Sequence, residues 1–156
     1  MRRIAPIAIL IALLDQLTKL LVMRWVDPDM PVPVVDSLFQ LVNWGNTGAA
    51  WGMFQNSNLI LASISVVTLV VICIFRRSFQ IHLLGSKIAL GLIAGGIAGN
   101  VVDRFRYGHV VDFLDFSFRG HHWPAFNVAD SAICVGVGVY LVVTWRDEHR
   151  RPQNAV

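Results

Sequence analysis

Two carboxylates stand where a hydrolytic acid/base pair could form. Asp112 closes the stretch GGIAGNVVDRFRYGHVVD, and Asp130 lies in WPAFNVADS at the head of the next apolar run. Peptide hydrolysis without a covalent intermediate needs a base to activate water and an acid to polarise the carbonyl; two nearby carboxyls can divide those roles. Such a pair shares one proton, and its titration belongs to both members. If the two flanking apolar runs are membrane helices, Asp112 and Asp130 are hairpin neighbours at one depth, near one surface of the bilayer. The residues alone leave a second reading open, in which Asp130 caps a helix and Asp112 is a solvated loop residue.

Other polar residues sit in apolar surroundings. Asp15 and Lys19 are four apart on the first apolar run, which suits either an intrahelical ion pair or a role near a substrate. Asp103 and Arg104 suit a salt bridge or a carbonyl contact at a helix end. Asn46, Asn100 and Asn127 can orient backbone or carboxylate groups, and Asn127 can equally cap a helix. His109, His121 and His122 accompany Asp112, Asp115 and Asp130, a set that raises zinc, but no HExxH or comparable ligand spacing is present and no metal is expected. Ser117, Ser131, Cys73 and Cys134 lack the neighbours of a nucleophilic triad. From a different class, Asp15, Lys19, Asp103 and Asp130 could form a membrane transporter's ion relay. The clustering of these groups at one depth argues against it, since a relay should reach both sides.

The elements that must position these residues follow from composition. The chain has 156 residues, 55% of them apolar, and a net charge of +3; with a mean hydropathy of +0.59 it is too apolar for an ordinary soluble domain of this size. The basic residues are scattered between apolar runs and form no stripe, so nucleic acid is not an expected partner. Four runs, Ile4 to Val26, Leu59 to Phe75, Ile88 to Val102 and Val128 to Trp145, predict a single membrane-embedded α-helical domain over residues 1–156. Its spans are 4–26, 57–75, 87–104 and 128–146, and its outer segments are 27–56 and 105–127. The third run is short for a span of roughly 17 to 25 residues. Met1-Arg2-Arg3 before Ile4 to Leu14 looks like a signal peptide, yet no small-x-small site closes the run, so an uncleaved first helix is expected.

With Arg2, Arg3, Arg76, Arg77, Lys87, Arg146, Arg150 and Arg151 on one side and Arg104, Arg106 and Arg119 on the other, the positive-inside rule puts both termini in the cytoplasm. Trp25, Trp44, Trp51, Trp123 and Trp145 fall near the expected interfaces. Pro28, Pro31 and Pro33 exclude a continuous helix. Ser37 to Trp44 is rich in β-formers, and Gly45-Asn46-Thr47-Gly48 predicts a turn before Ala49 to Phe54, hence a small hairpin or sheet on the outer surface. Gly91, Gly95 and Gly99 recur every fourth residue towards Asp103, spacing that lets a neighbouring helix approach closely and that should also shape a cleft.

These motifs, DQLTK at Asp15 to Lys19, NTGAAW at Asn46 to Trp51, GGIAGNVVDR at Gly95 to Arg104, GHVVDF and FNVAD, occur in order along nearly the whole chain. In this the sequence resembles lipoprotein signal peptidase, the type II signal peptidase family of bacteria. The resemblance implies four transmembrane helices, a small periplasmic sheet or cradle between the first two, and a periplasmic loop between the last two. It implies an aspartic endopeptidase that cleaves prolipoproteins just before a diacylglyceryl-modified cysteine. Asp112 and Asp130 fall on the family's catalytic aspartates. Asp15, Lys19, Asn46, Gly48, Asn100, Asp103, Arg104 and Asn127 fall on supporting or substrate-binding positions. No cofactor is implied; membrane lipid, lipidated substrate and cyclic-peptide inhibitors of the globomycin type are the implied partners of a monomer in the bacterial inner membrane. The site is expected near the outer leaflet. Trp51 departs from the phenylalanine that the family commonly has there.

Overall fold

The helices of this protein turn apolar side chains outward and charge inward, the reverse of a water-soluble bundle. In the computed structural model, which describes residues 3–49, 53–75, 78–79 and 83–150, Leu13, Leu17, Ile60, Val67 and Leu141 are exposed while Asp15, Lys19 and Asp103 are buried. Lipid is the solvent that suits such a surface, because buried charges are tolerated where they pair with one another inside the bundle.

Four helices form: α1 (Ile4–Trp25), α2 (Asn58–Ile74), α3 (Leu84–Tyr107) and α4 (Val128–Arg150). Three of them, α1, α3 and α4, are long and apolar enough to cross a membrane, and α2 is a shorter apolar helix of 17 residues. The protein is thus a multi-pass membrane protein. Helix α3 outruns the expected 87–104 at both ends. Hydropathy falls after Val102, but nothing in Asp103 to Tyr107 opposes helical backbone. The helix stops at Gly108, whose φ of +78° is a left-handed conformation that glycine adopts without penalty.

α3 is the central helix. A Cβ on Gly91 would lie 2.7 Å from the Ile7 side chain, and one on Gly95 would lie 2.6 Å from the Ala8 carbonyl oxygen, so these glycines let α1 seat against α3. Gly96, on an adjacent line, abuts Ala129 and Ile133 of α4. Close backbone approach is what small residues contribute where lipid supplies no hydrophobic force between helices.

Four strands form one antiparallel sheet in the order β1 (Val32–Val35), β2 (Phe39–Asn46), β3 (Val110–Phe118) and β4 (His121–His122). The sheet between α1 and α2 is as expected, but it takes half its strands from the segment between α3 and α4, which was expected to be a loop. β2 pairs back with β1 and across to β3. Of the expected partner segment Ala49 to Phe54, residues 49, 53 and 54 form a bend and a turn, and 50–52 lie outside the described residues. Pro33 fits because β1 is an edge strand, where a missing N–H costs no ladder bond. The β3–β4 turn places Arg119 and Gly120 at φ of +51° and +80°, in keeping with the double left-handed step of a two-residue hairpin. Val22 and Val26 of α1 pack with Phe113, Leu41, Leu114 and Val128, fastening the sheet to one end of the bundle.

Trp25, Trp44, Trp123 and Trp145 are exposed. Trp51, with Arg2, Arg76, Arg77 and Arg151 of the topology argument, lies outside the described residues.

Candidate active site

Where the sheet meets the bundle, a pocket of about 750 Å³ opens, lined among others by Asn46 and Gly48 of the first connection, Asn100 and Arg104 of α3, Asp112 of β3 and Asp130 of α4. Each element delivers its residue by local geometry. α3 places Asn100 and Arg104 one turn apart on one face, β3 carries Asp112 over the α3 terminus, and the N-terminus of α4 brings Asp130 alongside.

Asn127 ties the two carboxylates together. Its Nδ2 donates to Asp112 Oδ1 at 2.8 Å, and its backbone N–H donates to Asp130 Oδ2 at 3.2 Å. Its Oδ1 in turn accepts the Asp130 N–H at 2.9 Å. This last pair of bonds is a capping box, in which side chain and backbone of the two residues satisfy each other at a helix start. Asp130 is therefore both a helix-start residue and a wall of the pocket, whereas Asp112 is a buried strand residue and not the solvated loop residue of the second reading.

Three asparagines are oriented by what lies behind them. Asn46 Oδ1 accepts the Gly48 N–H, so its Nδ2 faces Asp112 Oδ2 at 2.9 Å. Asn127 Oδ1 accepts the Asp130 N–H, so its Nδ2 faces Asp112. Asn100 Oδ1 accepts from Lys19 Nζ at 3.0 Å, so its Nδ2 faces Asp130 Oδ1 at 2.8 Å. An ammonium only donates, which leaves one choice of amide orientation for Asn100.

A charged layer lies beneath. Lys19, 1% exposed, contacts Asp15 Oδ2 at 2.8 Å and Asp103 Oδ2 at 2.6 Å. Asp15 also accepts the Ala129 N–H at 2.9 Å, holding the first turn of α4, and Asp103 accepts the Val111 N–H at 3.2 Å, holding the backbone beside Asp112. The Asp15–Lys19 spacing is an intrahelical pair that also reaches two other elements. Gly99 adjoins this layer, and a Cβ there would strike the Asp15 carboxylate. The glycine row leads to the polar cluster as expected, but it packs against α1 and does not line the pocket.

Two contributors had no distinguishing signal in the sequence. Gln16 donates to Asp103 Oδ1 at 2.7 Å and to the Gly99 carbonyl at 3.2 Å. Asn58 accepts from Arg104 Nη1 at 3.1 Å and donates to the Arg104 carbonyl at 3.0 Å, while Arg104 Nη2 donates to the Gly48 carbonyl at 2.8 Å. Of the histidines, His109 packs its ring on Gly45 and His122 pairs with Asp115. Ser131 and Cys134 line the pocket, and the Ser131 hydroxyl donates to the Asn127 carbonyl.

Electrostatics set the protonation. Asp15, Asp103, Asp112 and Asp130 face Lys19 and Arg104, four negative charges against two positive if all ionise. Burial, reinforced by the charge of Asp130, pushes the Asp112 carboxyl up to about 7 despite the Asn46 and Asn127 bonds and the Lys19 ammonium, which favour its ionised form. Near neutral pH this carboxyl can thus either release or hold a proton.

Residues 7–146 match the family model described as signal peptidase (SPase) II. The lipoprotein signal peptidase of Syntrophotalea carbinolica is 45% identical over 90% of this chain and 89% of its own length, and that of Geobacter sulfurreducens is 43% identical over 88% of each. A solved structure described as a bacterial membrane enzyme, determined by the in meso method at 2.3 Å resolution, superposes with a TM-score of 0.85 at 27% identity, covering 96% of this chain and 92% of that one. Matched from α1 into the last turns of α4 and with the same fold, the chain belongs to the signal peptidase II family.

Proposed function

We propose that this protein is an aspartic endopeptidase that removes signal peptides from prolipoproteins, hydrolysing the bond before a diacylglyceryl-modified cysteine, with Asp112 and Asp130 as its catalytic pair. One observation carries the reading: a single residue, Asn127, donates to both carboxylates at the wall of one pocket. The pair holds one proton. The ionised member takes a proton from water as the oxygen attacks the scissile carbonyl, and the protonated member gives its proton to the carbonyl oxygen. The resulting diol collapses when the proton gained by the base passes to the leaving nitrogen, the C–N bond breaks and the other carboxyl recovers its proton. The Asn46, Asn100 and Asn127 amides keep the carboxylates aimed without neutralising them, and Lys19, Asp15 and Asp103 hold those amides and backbones in place.

The pocket's position between lipid-facing helices and the sheet supports this substrate class. Ile133 and Cys134 carry its wall along α4, a surface suited to acyl chains, while the sheet can hold an extended peptide by backbone bonds. The arginine and lysine distribution supports an inner-membrane protein with both termini in the cytoplasm and the site at the outer leaflet. The chain is expected to act as a monomer, and cyclic peptides of the globomycin type are expected to compete for the pocket. The test is cleavage of lipidated and unlipidated prolipoprotein in detergent by wild type, Asp112→Asn and Asp130→Asn. Only wild type should cut, and only the lipidated substrate; turnover by either folded variant would refute the assignment.

A further inference from the structure

Away from the pocket's polar floor, Asp115 of β3 is a fully buried carboxylate. It is not among the groups that face Asp112 or Asp130. Its oxygens accept from Gln40 Nε2 of β2 at 2.6 Å, and both lie 3.0 Å from Nδ1 of His122 on β4. β4 has only two residues, both exposed, and two register pairs with β3, Ser117 with His122 and Phe118 with His121. So short a strand is marginal by its own ladder. The residue after it is Trp123, which begins the stretch Trp123 to Phe126 that forms one wall of the pocket. The far end of this stretch is held by the Leu114–Phe126 bridge, by the stacking of Phe126 on Phe116, and by Asn127 at the start of α4.

We propose that His122 and Asp115 are positioning residues that pin the entry to this wall, so that Trp123 to Phe126 keeps its shape against bound peptide. The inference rests on the pocket being the peptide site. A buried carboxylate without a strong donor is costly, so the imidazole on it is held firmly, and together with the Trp123 N–H on the Phe116 carbonyl at 2.8 Å it sets where Trp123 leaves the sheet. Gln40 anchors Asp115 from the opposite strand at 2.6 Å, which makes the buried carboxylate a fixed post on which His122, half exposed at 51%, is seated. Because neither residue touches the aspartate pair, the pin acts on binding and leaves the chemical step alone.

The experiment is steady-state cleavage of lipidated prolipoprotein in detergent by wild type, His122→Ala, His122→Asn, Asp115→Asn and the double variant His122→Ala/Asp115→Asn. His122→Ala should raise KM about tenfold, the scale of one lost hydrogen bond to a charged group, with kcat within about twofold. His122→Asn, whose Nδ2 stands where the imidazole Nδ1 stood, should recover most of that loss. The double variant should lose less than the sum of the two single losses, since the changes share one contact and only Asp115→Asn also touches Gln40. An unchanged KM in His122→Ala, a fall in kcat at constant KM, failure of His122→Asn to rescue, or additive effects would each overturn the proposal. If Asp112→Asn also cuts normally, the reading of the pocket fails; if Asp112→Asn is dead while KM stays unchanged in His122→Ala, only the pin fails.

Discussion

Asp112→Asn should abolish cleavage and at the same time make the protein more stable at alkaline pH. An acid whose pKa is raised by folding binds its proton more tightly in the folded state. The stability this represents is fully present below the unfolded value of 3.8, declines as pH rises, and is gone once pH exceeds the folded value of about 7. Each pH unit between the two costs about 1.4 kcal/mol, so ionised Asp112 burdens the fold by about 4 kcal/mol above pH 7. Asparagine resembles the protonated carboxyl in shape and neutrality. The variant should therefore match wild type at pH 4 and exceed it by up to about 4 kcal/mol at pH 8, less whatever amide rearrangement at Asn46 and Asn127 costs. Unfolding titrations in mixed detergent at pH 4, 6 and 8 measure the difference directly. A variant less stable than wild type at pH 8, or a gap that does not widen with pH, would refute the claim that desolvation dominates this carboxyl. Confirmation would mean that the fold gives up stability to keep an ionisable carboxyl buried in the pocket, a common cost of function.

Two further predictions concern the layers around the pair. Lys19→Met removes the ammonium shared by Asp15, Asp103 and Asn100, and breaking such a buried pair should cost about 3–5 kcal/mol; a loss under about 1 kcal/mol in the same unfolding titration would contradict it. Asn46→Ala deletes a donor that lowers the Asp112 pKa, so the alkaline limb of the rate profile, where the shared proton is lost, should move to higher pH. A downward shift in the measured profile would show that Asn46 acts otherwise.

The chain's own order determined the helices, the glycine contacts in kind, and most of the polar residues that gather at and beneath the pocket. Runs of apolar residues form helices in any apolar solvent, and a residue every fourth position lies on one face whatever that face meets. Asp15 and Lys19 were legible as a pair because four residues is a local distance. Tertiary structure alone decided what is nonlocal: that Lys19 also reaches α3, that Gly91, Gly95 and Gly99 meet α1 and not a cleft, and that β2 pairs with a strand from beyond α3. Val110 to Phe118 was not legible as a strand because burial on both sides removes the alternation that marks a half-exposed one. Gln16, Asn58 and the Asp115–His122 contact were silent for a related reason. A neutral amide or a loop histidine carries no periodic signal, and its partner lies far along the chain, so its importance exists only once folding has brought the donor to its acceptor.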